Sequence, residues 1–281
     1  LVGSEMCIRD RSYIIDENKD IVIDLNGKNI TYANEYMIKN NGKLEIKDTS
    51  EESSGKITGK ISSFIDNLDG SEFKLSGGII NIASSRATGV YAESGSTVEI
   101  AGGKISLNKG INSSTAIKGD VGSNIKVTGG MIEGYSCYMN SNSTIYSEGK
   151  VIIEGGKITA PGNADRNSIG ISGSESKLEI NGGEITNNTI SNNDGSVEIS
   201  GGLIKTTDYY SNTGNVSSCS VIENYASTNM KASIKETGGT IKNTNSYDGS
   251  VIYNNPYRSN SEIDMEVTGG TIEGGAHGIY N

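Results

Sequence analysis

The sequence predicts an all-β fold: a parallel β-helix solenoid of about ten rungs, about 26 residues each, with three short strands per rung. Three observations predict it. Paired glycines recur at 77/78, 102/103, 129/130, 155/156, 182/183, 201/202, 238/239 and 269/270, with spacings of 25, 27, 26, 27, 19, 37 and 31 residues. Three residues after the first glycine of each pair stands an isoleucine: Ile80, Ile105, Ile132, Ile158, Ile185, Ile204, Ile241 and Ile272. Two and four residues before it stand apolar side chains, as in Phe73/Leu75, Val98/Ile100 and Leu178/Ile180, with Glu236 the single exception.

Taken in chain order, the first element of each repeat is therefore a strand, because apolar residues at every second position bury one face of a pleated backbone. The second element is a corner. Turning within one or two residues needs a positive φ or close backbone approach, and glycine supplies either without steric cost. A flexible linker is excluded, because branched aliphatics flank every pair in fixed register. The isoleucine belongs to the second strand. A third short apolar stretch follows in most repeats, as in "GVYA" (89–92), "TAIKG" (115–119), "SVIEN" (220–224), "SVIYN" (250–254) and "HGIYN" (277–281). Nothing between these stretches has helical period, so a βαβ unit is excluded. The segment "DIVIDLNGKNI" (20–30) fits more loosely but places Ile23, Leu25 and Ile30 around Gly27 in the same offsets. In "GKLEIKD" (42–48), Asp48 stands where a corner glycine would be. Ten rungs stacked about 4.8 Å apart give a rod of about 45–50 Å.

Composition agrees. Of 281 residues 33% are hydrophobic, with 38 Gly, 2 Pro and no Trp, as a thin, regular core requires. The formal charge of −10 argues against a nucleic-acid or anionic-membrane partner. No run of 18 apolar residues exists, so no span of a membrane is expected. Residues 1–11, "LVGSEMCIRDR", are unlike the rest and resemble a translated sequencing adapter. They are expected to be an artefact outside the fold, leaving 12–281 as a single β-helix fragment truncated at both ends. Without Cys7, only Cys137 and Cys219 remain, and two cysteines so far apart are read as free small hydrophobes.

The segment "DIVIDLNGKNITYANEYMIKNNGKLEIKDTSEESSGKITG" and the recurrent "VEIAGGKIS"-type rungs resemble the right-handed parallel β-helix of the pectate-lyase-like superfamily. More narrowly, they resemble repeat-rich bacterial surface proteins and adhesins. The resemblance implies a fold that serves lyases, hydrolases, adhesins and inert stalks alike. A polygalacturonase-like site would need clustered aspartates with an Asp-Asp pair and a Gly-His-Gly segment. No two aspartates are adjacent, and the one histidine, His277 in "GGAHGIY", reads as a turn residue. A pectate-lyase-like site would need several calcium-binding acids beside a base, and no such cluster surrounds Arg86, Arg166 or Arg258. The sequence calls for no catalytic residue, no metal and no cofactor.

Two features stand out. Glu236 occupies an inward position; it must be paired, be protonated or lie in a rung that opens, and the simplest expectation is a local slip that turns it outward. The rungs around Gly238-Gly239 are long, so their excess must bulge into loops, and residues 207–260 carry Tyr209, Tyr210, Tyr225, Tyr247, Tyr253 and Tyr257, six of the 14 tyrosines. Tyr209, Tyr210, Tyr225, Tyr247, Tyr257 and Glu236 are the candidate binding residues, since loops on a rigid scaffold carry recognition and tyrosine offers a flat apolar face with a polar tip. The rings could equally cover the rod, Tyr253 above all. The outward residues Lys74, Glu99, Lys126, Ile152, Glu179, Glu198, Lys235 and Glu266 often alternate in charge from rung to rung, with Glu179/Glu198 the exception. The expected function is a non-catalytic extracellular stalk or adhesin segment at the cell surface. The alternatives are a polysaccharide lyase or glycosidase fragment, and a secreted carbohydrate-binding module using loops 207–260. Expected partners are glycans or host and cell-surface components.

Overall fold

The computed structural model describes residues 7–8, 12–32, 36–59, 62–108, 113–134, 143–160, 167–187, 190–206, 220–244, 249–256, 259–275 and 277–281. They form a right-handed parallel β-solenoid of three sheets with eleven, eleven and ten strands. That is ten full triads of strands plus two, close to the ten rungs expected. One rung runs Thr97–Ile100 in the third sheet, the glycine corner, Lys104–Leu107 in the first sheet, a wide connection, Thr115–Gly119 in the second sheet, then a tight turn into Asn124–Val127 of the third sheet again. Every strand pairs in parallel with its counterpart one rung away, and the backbone of Cys7–Ile8 pairs with Thr31–Tyr32.

Because the side-chain period of a strand is two, in-register pairing sends the same position of every rung to the same place. The eight isoleucines form one unbroken column, joined without a slip from Ile80 to Ile272 and continued upstream by Ile57 and Ile30. Ile57 through Ile241 are buried, and the end members Ile30 and Ile272 are partly so. The apolar pairs of the third sheet line the same core from Leu44/Ile46 onward. In the last strand of that sheet, Glu262–Val267, the inward Val267 is exposed because it is covered from one side only.

The two glycines of each pair meet different demands. The second has φ between +66° and +88° at all eight corners, a left-handed conformation that a Cβ makes costly. The first has an ordinary φ, but a Cβ there would run into backbone one rung back: the Asp48 nitrogen for Gly77, and a carbonyl oxygen at the other seven, as Ala101 for Gly129, Glu154 for Gly182 and Ser200 for Gly238. At the N-terminal corner Asp48 does this work differently. Its Oδ1 accepts the Gly27 N–H at 2.8 Å and its Oδ2 the Gly55 N–H at 2.6 Å. Burial alone would push this carboxyl up, yet those amides and Ser50 hold it below its ordinary value. The first apolar pair here is Ile21 and Ile23, in register with Leu44 and Ile46, while Leu25 is buried in the corner itself.

The turn from the second sheet to the third uses buried polar side chains. Asn40 and Asn67 stack at 2.7 Å, and Asn192, Asn224 and Asn254 form a second ladder at 2.8 and 3.1 Å. Asn192 also accepts the Gly195 N–H with Oδ1, so each ladder satisfies corner backbone as well as itself. Between the ladders, Ser96 and Ser123 donate to the carbonyls of Glu93 and Asp120, at 2.7 and 2.6 Å.

Outside, Lys and Glu join successive rungs, as in Lys74–Glu99 at 3.2 Å and Lys104–Glu133 at 2.7 Å. Glu179 and Glu198, adjacent like charges, are bridged by Lys177 at 3.0 and 2.9 Å. Glu184 lies between Lys157 and Lys205.

Two comparisons test this architecture. Gly129→Ala and Gly278→Ala both place a Cβ at ordinary φ, but only the first meets the rung behind it. Thermal melts should show the first destabilised by about 1–3 kcal/mol and the second within about 0.5 kcal/mol of the parent. Ile185→Asp buries an unpaired charge and should cost about 3 kcal/mol or more, whereas Glu184→Gln loses two exposed ion pairs and about 1 kcal/mol at most. Equal melting of that pair would reverse the inward and outward assignment.

Candidate functional site

Every ion pair that joins two described residues lies on the first or third sheet or on the glycine corner between them. The outer face of the second sheet is built of other parts. Its central outward column runs, rung by rung, through Asp66, Tyr91, Lys118 and Tyr146, and further on through Glu223, Tyr253 and Tyr280. Strand alternation puts them there, since the residues on either side of each point into the core. In chain order, each connection from the first sheet leads into a strand of this sheet.

In the first half, Tyr91 donates its hydroxyl to Asp120 Oδ2 at 2.5 Å, and the Lys118 ammonium lies 4.9 Å from the Tyr91 ring centroid. Burial, and then Asp120, push the Tyr91 hydroxyl above its ordinary range. Asp66 is 6% exposed; burial raises its carboxyl and Lys39 opposes the shift. Tyr146 donates to Glu148 Oε1 at 3.1 Å, and its ring lies beside Gly170, which lacks a side chain of its own.

In the second half, Tyr225 donates to Glu223 Oε2 at 3.0 Å from two residues along the same strand. Burial pushes the Glu223 carboxyl up to about 7, with the Tyr225 hydroxyl opposing. The Tyr225 and Tyr253 rings meet edge to face at 6.5 Å, and Tyr253 stacks on Tyr280 at 5.5 Å. His277 opens the strand His277–Tyr280 rather than a turn, and its ring is 5.6 Å from Tyr280. Perturbed acids beside aromatic rings on one face make this the candidate site.

Of the residues singled out in the sequence, Tyr225 belongs to this face. Tyr209, Tyr210, Tyr247 and Tyr257 lie outside the described residues, as do Cys137 and Cys219. Glu236 lies elsewhere: the expected slip does not occur. It pairs in register with Ile199 and Val267, points into the core and is 0% exposed. Neither carboxyl oxygen has a partner among the described residues, and burial raises its carboxyl. Glu223 and Tyr280 escaped the sequence reading, although "SVIENYA", "SVIYNNP" and "HGIYN" align them one above another. Their apolar positions drew attention, and the outward ones between them carried the signal.

No group of three or more His, Cys, Asp and Glu among the described residues could hold a metal ion, and they contain no helix long and apolar enough to cross a membrane. Comparison of the chain with protein-family models, with curated proteins and with solved structures returns no match.

Glu236 yields a pH prediction with a definite sign. Its folded carboxyl titrates above the unfolded one, so its burial is tolerated below the unfolded value and costs progressively more as pH rises through the folded value. Glu236→Leu should therefore stabilise the chain by about 1–3 kcal/mol at pH 8. That advantage should shrink as the melts are repeated toward pH 4. A constant difference across the range would mean that the carboxyl finds a partner in solution.

Proposed function

We propose that this chain is a non-catalytic stalk or adhesin segment of a larger bacterial surface protein, working outside the cell. The observation that supports this reading is the uniformity of the coil. One isoleucine column runs from Ile30 to Ile272, and ion pairs such as Lys43–Glu72, Lys150–Glu179 and Lys242–Glu273 tie neighbouring rungs together at many places on two faces. Such a body resists bending and holds its ends a fixed distance apart, which is what a spacer must do. The resemblance of the rungs to repeat-rich surface proteins of pectate-lyase-like fold points the same way.

The tyrosine-bearing second sheet favours a second reading, a secreted carbohydrate-binding module, with Tyr225 and loops 207–260 as its contact region. A lyase or glycosidase fragment is a third. Incubation with polyuronides and with plant and host glycans separates the three. The stalk reading expects no unsaturated or reducing ends and no saturable binding. Release of such ends would make the chain an enzyme. Saturable binding that is abolished by Tyr209→Ala/Tyr210→Ala would make it a binding module.

A further inference from the structure

We propose that Glu223, Tyr225 and Tyr253 form a binding site for an organic ammonium group. The molecule itself shows what fills such a constellation. Around Tyr91, a carboxylate (Asp120) accepts the phenol hydrogen and an ammonium (Lys118) lies over the ring. On the same face, Glu223 accepts the hydrogen of Tyr225 and is the direct cross-rung neighbour of Tyr253, whose ring meets that of Tyr225 edge to face. The carboxylate and the rings are there, but the cation is not among the described residues.

Physical chemistry selects the ligand. Glu223 Oε2 is engaged by the tyrosine, while Oε1 has no hydrogen-bond partner among the described residues. Two tyrosine rings beside a partly desolvated carboxylate attract a cation through both charge and ring quadrupole. A formal charge of −10 favours the same sign of ligand. The groups facing Glu223 are Tyr225 on its own strand, Ser191 and Asn193 on the preceding strand, and Tyr253 and Asn255 on the following one. Tyr280 and His277 lie beyond Tyr253. No other acid among these groups competes for the proton. Burial holds the Glu223 carboxyl near neutrality, so an arriving ammonium drives it to ionise and releases a proton. The site stands apart from the stalk reading, because a rigid rod remains a rod with or without it.

The test is calorimetric titration of the full chain with n-butylammonium at pH 7, in two buffers of different ionisation heat. Saturable binding with release of a fraction of a proton is expected, tightening between pH 6 and pH 8. Glu223→Gln and Tyr253→Leu should each weaken it about tenfold while melting as the parent does. Tyr225→Phe removes the hydrogen bond that holds the carboxylate, so it should move the pH profile to higher pH, a change that mere loss of packing would not make. A lysine tripeptide and a glucosamine oligomer then tell a protein amine from an amino-sugar. No saturable binding, equal binding by Glu223→Gln, or equal binding of neutral 1-pentanol would each overturn the proposal.

Discussion

Everything in this molecule depends on one constraint: each residue is packed against the residue at the same position one rung away. Strand spacing fixes that distance at about 4.8 Å, so the wall and the core are both repeats in one dimension. A side chain that suits its own column is stabilised by two neighbours of its own kind. One that does not suit it is contradicted twice. The glycine corner is the tightest expression of the constraint. There the first glycine of each pair is fixed by the rung behind it and the second by its own backbone angle, so the pair recurs for two unrelated reasons.

The same constraint explains how polar groups enter so thin a core. At the turn from the second to the third sheet, corner amides and carbonyls face inward and need partners. Asparagine provides them at both ends of the coil by bonding to corner backbone and to the next asparagine. In the middle, Ala92 and Gly119 take the asparagine's place, and a serine four residues further on bonds back to the carbonyl three residues before it. Ser147 is intermediate, accepting the Gly149 N–H at 3.0 Å. Glu236 follows neither solution. It stands in an aliphatic column, one residue from the glycine corner and without the short reach to backbone that makes Asn and Ser acceptable there.

Which of these features was legible in the sequence follows from whether they repeat. The isoleucine column, the alternation and the glycine corners recur eight times, and the structure places them as read. The charge alternation was legible as a pattern, but the relief of Glu179 and Glu198 was not, because Lys177 reaches both from the flanking position. The asparagine ladders were visible as "IKN", "IDN", "SNN", "IEN" and "IYN", yet only the fold reveals that these asparagines point inward. The N-terminal pair was misplaced by two residues, since Gly27 closes a longer corner in which Leu25 is itself buried. For Glu236, local chemistry argued for a slip and the register overruled it. A slip of one residue would have turned Ile234 and Ala232 out of the core with it, and would have opposed both neighbouring strands.

The outer face of the second sheet follows from the same geometry. On the first and third sheets, a lysine meets a glutamate on the next rung, and each such exposed pair adds little by itself. Repeated along a column, they keep a highly acidic chain from repelling itself between rungs. The outward column of the second sheet is less exposed: Asp66 is 6% exposed, and burial raises the carboxyls of Asp66 and Glu223. Lys–Glu pairs are poorly suited to such a place, because desolvation erodes their attraction. Tyrosine suits it, having a large apolar ring and a hydroxyl that needs one acceptor. Each tyrosine that is satisfied there therefore brings a carboxylate with it: Asp120 for Tyr91, Glu148 for Tyr146 and Glu223 for Tyr225. Burial that makes the face aromatic also raises the proton affinity of two of its acids, Asp66 and Glu223. A face of that composition, on a rod whose other two sheets pair lysine with glutamate, is where a cation gains most by binding.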